Sequence, residues 1–158
     1  MMLAAIAITI VATDQLTKWL VQVYLPLHHS VTVIPGLFDL THILNPGGAF
    51  GMFAEQSLLV RRILFLFVSS IAAGVVLYFY HNTPKTHRFL AAGFALIFGG
   101  AIGNLIDRMN TGKVVDFLDF YISQYHWPAF NVADSAITIG VTVFAYHILF
   151  NKMPEQDS

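Results

Sequence analysis

Two strings that each carry an aspartate hold the most chemistry in this chain: Val114-Val115-Asp116-Phe117 and Phe130-Asn131-Val132-Ala133-Asp134. Asp116 sits in an apolar run, and Asp134 opens a stretch that stays uncharged from Ser135 to Asn151. Carboxylates are costly beside lipid, and ionisable groups in such surroundings tend to mark function. If the two meet at a water-lipid boundary, repulsion and partial desolvation leave one protonated and the other ionised. The ionised member can deprotonate a water while the protonated member donates to the carbonyl oxygen of a scissile amide. Which is base and which is acid stays open, because a coupled pair titrates as a unit. Structural accounts stand beside this one: Asp134 also suits the N-cap of a following helix, and Asp116 a surface ion pair with Lys113 or Arg108.

Other chemistries lack parts. Without cysteine there is no disulfide, thiolate metal site or Cys nucleophile. Seven histidines are scattered with no HExxH pattern, so no metal or other cofactor is called for. Ser135 has no GxSxG elbow around it, and nothing in the spacing brings Lys18 or Lys113 to a serine.

The elements that must position these residues are set by composition. The 158 residues are 56% hydrophobic and 11% charged, against roughly 25% charged in a soluble domain. Mean hydropathy is +0.67, so the chain reads as an integral membrane protein. A formal charge of −1 offers no basic footprint for nucleic acid. The expected class is membrane all-α: one domain over 1–158, with transmembrane helices over about 1–23, 58–80, 89–107 and 132–150. Met1 to Ala12 lacks the positively charged start of a signal peptide and is read as part of a retained helix. Within the second helix Ile63 to Tyr80 carries no charge, a length of about 27 Å.

Between the first two helices, about 28–56 reads as a small β-rich element. Val31 to Ile34 and Leu37 to Leu44 form two short strands about a Pro35-Gly36 turn. Asn45-Pro46-Gly47-Gly48-Ala49-Phe50-Gly51 is either an ordinary glycine-rich turn or a loop whose bared backbone approaches another chain, with Asn45 holding that chain's amides. Gly93, Gly99, Gly100 and Gly103 allow close approach along the third helix, which Asn104, Asp107 and Arg108 close. Asn104 shares a face with Asp107 and Arg108 and can join them in one polar network. Asp14 and Lys18, one turn apart, form either an ion pair or part of the site. Tyr121 to Trp127 suits a short interfacial segment, and Met153 to Ser158 is a polar tail.

Four spans oblige the two odd-numbered connections to emerge on one side, and every polar cluster named above lies there. Charge does not say which side that is. Lys85, Arg88 and Lys152 oppose Lys18, Arg61 and Arg62 once Arg108 and Lys113 are assigned to the site. A small carrier or proton-coupled transport subunit is the rival reading, since intramembrane carboxylates also relay protons. It requires polar groups through both faces, whereas the second and fourth helices are nearly bare of charge in their middles. A structural membrane partner, with its aspartates as caps and ion pairs, is a third reading.

The strings together resemble the lipoprotein signal peptidase family. Asp14-Gln15-Leu16-Thr17-Lys18, Asn45-Pro46-Gly47-Gly48-Ala49-Phe50, Gly99 to Arg108, Val114-Val115-Asp116-Phe117 and Phe130 to Ser135 follow the family's order across nearly the whole chain. Pro46-Gly47-Gly48 departs from the small-residue pattern more usual at that place. The resemblance implies an aspartyl endopeptidase with four transmembrane helices and an extracytoplasmic β-rich element that cradles the peptide. It implies that Asp116 and Asp134 are the catalytic dyad, and that Asp14, Asn45, Asn104, Arg108 and Asn131 support or contact the substrate. Gly47 and Asp107, inside the matched strings, are taken with them. Further implications are cleavage of prolipoproteins just before a diacylglyceryl-modified Cys, without metal, and inhibition by globomycin. The expected setting is the bacterial inner membrane, with the dyad toward the extracytoplasmic face and the protein a monomer.

Overall fold

Helix length follows from apolar run length. The computed structural model describes residues 1–47 and 56–150. It contains α1 (Met2–Tyr24), α2 (Leu58–His81), α3 (Arg88–Asn110) and α4 (Val132–Leu149), each long and apolar enough to cross a bilayer. Even the shortest, α4, extends about 27 Å. Gly48 to Gly51 of the glycine-rich loop and the Met153 to Ser158 tail lie outside the described residues. Large apolar side chains such as Phe67 and Ile71 on α2 are exposed, as suits a helix whose solvent is lipid.

α3 is the central helix and packs on α1, α2 and α4. Its small residues let the neighbours close in: a Cβ on Gly99 would lie 3.0 Å from the Ala7 Cα of α1. One on Gly103 would lie 2.7 Å from Asp14 Oδ2 and 3.3 Å from Ala133 Cβ, so this glycine leaves the space that Asp14 fills. α3 runs past 107 to Asn110, which places Asn104, Asp107 and Arg108 inside its last turns rather than at its end. Two features carry the helix that far. The Arg62 guanidinium donates to the Met109 carbonyl, and Gly112 at φ +74° takes the left-handed position just past the cap, with its N–H on Arg108 O at 3.1 Å. At the start of α4 the N-cap is Asn131, not Asp134: Asn131 Oδ1 accepts from Asp134 N at 2.9 Å while Asp134 Oδ2 accepts from Asn131 N at 3.3 Å.

Both odd-numbered connections build one antiparallel sheet, ordered β1 (Ser30–Ile34), β2 (Phe38–Asn45), β3 (Val114–Ile122), β4 (Tyr125–His126). β1 and β2 are the strands read from Val31 to Leu44. Tyr121 to Trp127, read from sequence as a short interfacial segment, falls at the tip of the hairpin that β3 and β4 form. Val115 and Phe117 on one face and Val114 on the other are all buried, which hides the period-two signal that marks a half-exposed strand. Pairing of β2 with β3 fixes the two connections at the same end of the helices, as four spans require. Its register slips by one residue between Leu40 and Ile43. Beyond that bulge Ile43 pairs with Asp116 and Asn45 with Val114, so Asn45 rather than Leu44 shares the face of Asp116.

Candidate active site

Asp116 reaches the site from β3 and Asp134 from the first turn of α4. Each oxygen of both carboxylates accepts an N–H. Asp116 Oδ2 takes the Asn45 amide at 3.0 Å and Oδ1 takes that of Asn131 at 2.8 Å. Asp134 Oδ1 takes the Asn104 amide at 2.8 Å, and Oδ2 takes the Asn131 backbone N–H at 3.3 Å. Asn131 therefore touches both carboxylates, one through its side chain and one through its main chain. Asp116 is 3% exposed and Asn131 0% exposed, so Asp116 is no surface ion-pair partner; its partners are the two amides.

Burial pushes the Asp116 carboxyl up to about 7, and the charge of Asp134 raises it further within that total. The Asn45 and Asn131 donors and the Lys18 ammonium oppose the rise. Four carboxylates, Asp14, Asp107, Asp116 and Asp134, gather here against two cations, Lys18 and Arg108.

Behind the two aspartates lies a second layer. Lys18 Nζ is 2.8 Å from Asp14 Oδ2, 2.8 Å from Asp107 Oδ2 and 3.1 Å from Asn104 Oδ1. The expected Asp14 to Lys18 pair thus exists, but inside a larger network: Asp14 Oδ1 accepts the Ala133 N–H of α4 at 2.9 Å, an orphan donor of that helix's first turn. Gln15 Nε2 donates to Asp107 Oδ1 at 2.9 Å, and Asp107 Oδ2 accepts the Val115 N–H at 3.2 Å. α1 in this way ties α3, β3 and α4 together beneath the dyad. Gln15 was not singled out as a site residue from sequence, and Lys18 was left open between an ion pair with Asp14 and the site. For Lys18 the available signal was the helical face it shares with Asp14, four residues before it; Gln15, adjacent to Asp14, points about 100° away and gave none.

The remaining candidates lie around the opening. Gly47 N–H donates to Asn45 Oδ1 at 2.9 Å, which turns the Asn45 amide group toward Asp116. The Arg108 guanidinium sits 5.1 Å from the Phe65 ring centroid on α2 and reaches Asn104 O at 3.5 Å. Both Asn45 and Arg108 line a cavity of about 650 Å³, together with Asp116 and Asp134. One wall is apolar and aromatic, formed by Trp127, Pro128, Phe130, Ile137 and Ile139, with Ser135 and Thr138 adding hydroxyls. A polar floor under an apolar wall suits a ligand that joins a polar group to an apolar one. Among the described residues, the buried polar side chains other than His147 gather at this end, with no matching set running through to the other.

Comparison with known proteins gives matches over nearly the whole chain. A family profile described as signal peptidase (SPase) II matches residues 6–150. The lipoprotein signal peptidase of Desulforapulum autotrophicum is 60% identical over 153 residues, covering 97% of this chain and 94% of the relative. That of Symbiobacterium thermophilum is 41% identical over 149 residues, covering 94% and 95%. A solved bacterial membrane enzyme superposes with TM-score 0.86 at 32% identity, covering 99% of this chain and 92% of its own. A second bacterial membrane enzyme gives 0.82 at 34% identity, covering 93% and 92%.

Proposed function

Because the chain belongs to the signal peptidase II family, whose profile spans nearly all of it, we propose that it removes signal peptides from prolipoproteins as an aspartic endopeptidase. Cleavage falls on the N-terminal side of the diacylglyceryl-modified Cys. Asp116 and Asp134 share one proton, activate a water and protonate the scissile amide. The observation that carries this reading is that both carboxylates line one cavity and are joined through Asn131.

Each residue then has a role. Asn45, Asn104 and Asn131 aim amide donors at the dyad, and Arg108 offers guanidinium N–H groups to a substrate carbonyl. Gly47 sets the Asn45 flip, while Asp14 holds α4 and Asp107 holds β3, the two elements that deliver the pair. Amide donors on every dyad oxygen suit a shared proton better than a bound cation, which supports a reaction that runs without metal. The apolar wall takes the acyl chains, and the active site opens toward the extracytoplasmic leaflet of the bacterial inner membrane, as the family resemblance implies. The chain works as one peptidase domain and as a monomer, and a globomycin-type cyclic peptide competes for the cavity.

The test is cleavage of a diacylglyceryl-Cys precursor by purified protein in EDTA. Asp116→Asn and Asp134→Asn should each abolish the product while the protein still inserts and folds. Full cleavage by either variant would remove the dyad assignment.

A further inference from the structure

Lys18 lies beneath the cavity and not on its lining, and it is 1% exposed. An ammonium has three donors and no acceptor, and here all three are used: on Asp14, Asp107 and the side-chain oxygen of Asn104. The third contact decides an orientation. A carboxamide has an accepting end and a donating end, and rotating it by half a turn exchanges them. With its oxygen held by Lys18, and also 3.3 Å from Asn131 Nδ2, Asn104 must turn its NH₂ toward Asp134 Oδ1. The flipped amide would press NH₂ against the ammonium. In the observed flip Asn104 has no acceptor to offer Asp134, so a proton on Asp134 Oδ1 has no partner there.

We propose that Lys18 is a positioning residue for cleavage: through Asn104 it keeps the dyad's proton from being trapped on the Asp134 oxygen that Asn104 holds. The inference rests on the dyad reading above. The other two asparagines are held the same way by main-chain donors, Asn45 by the Gly47 N–H and Asn131 by the Asp134 N–H. Asn104 is held by side chains instead, Lys18 at 3.1 Å and Asn131 Nδ2 at 3.3 Å, and Lys18 can be replaced without touching the backbone. Once it is gone, Asn104 keeps only the 3.3 Å contact from Asn131 Nδ2, whose two N–H groups are shared with Asp116 Oδ1 and Val115 O, and it can turn its oxygen to Asp134 and accept the proton there. The substrate's own contacts stay in place, so turnover falls while binding is kept.

The experiment compares Lys18→Met, and the charge-balanced pair Lys18→Met with Asp107→Asn, with the natural enzyme on a diacylglyceryl-Cys precursor. The pair leaves the formal charge of Asp14, residue 18 and residue 107 at −1, as in the natural protein, so no extra buried charge is created. Expected is a fall in kcat of about 100-fold with KM within about threefold, the pattern of a displaced catalytic group. The alkaline limb of kcat against pH should also move upward. Asp116 is faced by Asp134 and Asn131 from α4, Asn45 from β2, Arg108 from α3 and Lys18 from α1, and loss of Lys18 removes a charge that favours its ionised form. Full kcat with an unmoved limb in the charge-balanced pair would overturn the proposal. So would failure of that pair to fold, which would make Lys18 a structural residue only. If Asp116→Asn is inactive while the charge-balanced pair is fully active, the dyad stands and the role of Lys18 falls; if Asp116→Asn is active, the dyad itself has failed.

Discussion

Replacing Asp116 by Asn tests whether the carboxylate is held under strain for chemistry, because the change should act on stability as well as on cleavage. Burial first, and Asp134 second, lift this carboxyl from 3.8 to about 7. The folded chain therefore binds its proton more tightly than the unfolded chain does. Between about pH 4 and pH 7 the unfolded state holds fewer protons, so the contribution of this group to stability is greatest at low pH, declines as pH rises through that window and is level above it. From pH 5 to pH 8 the decline amounts to roughly 2–3 kcal/mol. An Asn at 116 does not titrate and removes the slope. It brings a penalty of its own, since the Asn45 and Asn131 amides both donate to this side chain and a carboxamide has one oxygen to offer. The donor left without an acceptor lowers stability by about 1–3 kcal/mol at every pH. The variant's stability relative to the natural protein should thus improve by roughly 2–3 kcal/mol between pH 5 and pH 8, or about 4–12 °C in melting temperature for a chain of this size. Thermal unfolding of both proteins in the same detergent at the two pH values measures this, and cleavage should be lower by at least about 100-fold. Parallel pH dependences in the two proteins would refute the claim that a desolvated Asp116 is part of a proton-sharing pair.

Turnover against pH should be bell-shaped, with its alkaline limb near pH 7, where Asp116 loses the shared proton; activity that keeps rising to pH 9 would contradict a protonated member. Asn45→Ala removes a donor that favours ionised Asp116, so that limb should shift upward; a limb that stays in place would leave Asn45 without a part in tuning the dyad. Gly103→Ala forces a methyl against Asp14 and Ala133 and should lower stability by about 1–3 kcal/mol, read by thermal unfolding, together with activity; an unchanged variant would mean that the Asp14 network relaxes freely.

Much of the site could be read from residue types. Hydropathy fixes where the helices run, because lipid leaves a long apolar segment no better way to satisfy its backbone, and two carboxylates placed where ionisation is expensive announce themselves. Family resemblance then assigned them a reaction. The sheet's full extent escaped, because β3 is apolar on both faces and loses its alternation. Asn45 faces Asp116 only because β2 carries one residue too many between Leu40 and Ile43, and that slip exists only against a strand about 70 residues away in the chain. Lys18 likewise reads as half of an ion pair with Asp14, four residues on; its link to Asn104, and through it to Asp134, is made by the close packing of α1 on α3. A side chain's identity and its neighbours on its own helix are local facts, whereas which end of an amide meets a carboxylate depends on donors delivered by other elements, and those are in place only once the chain has folded.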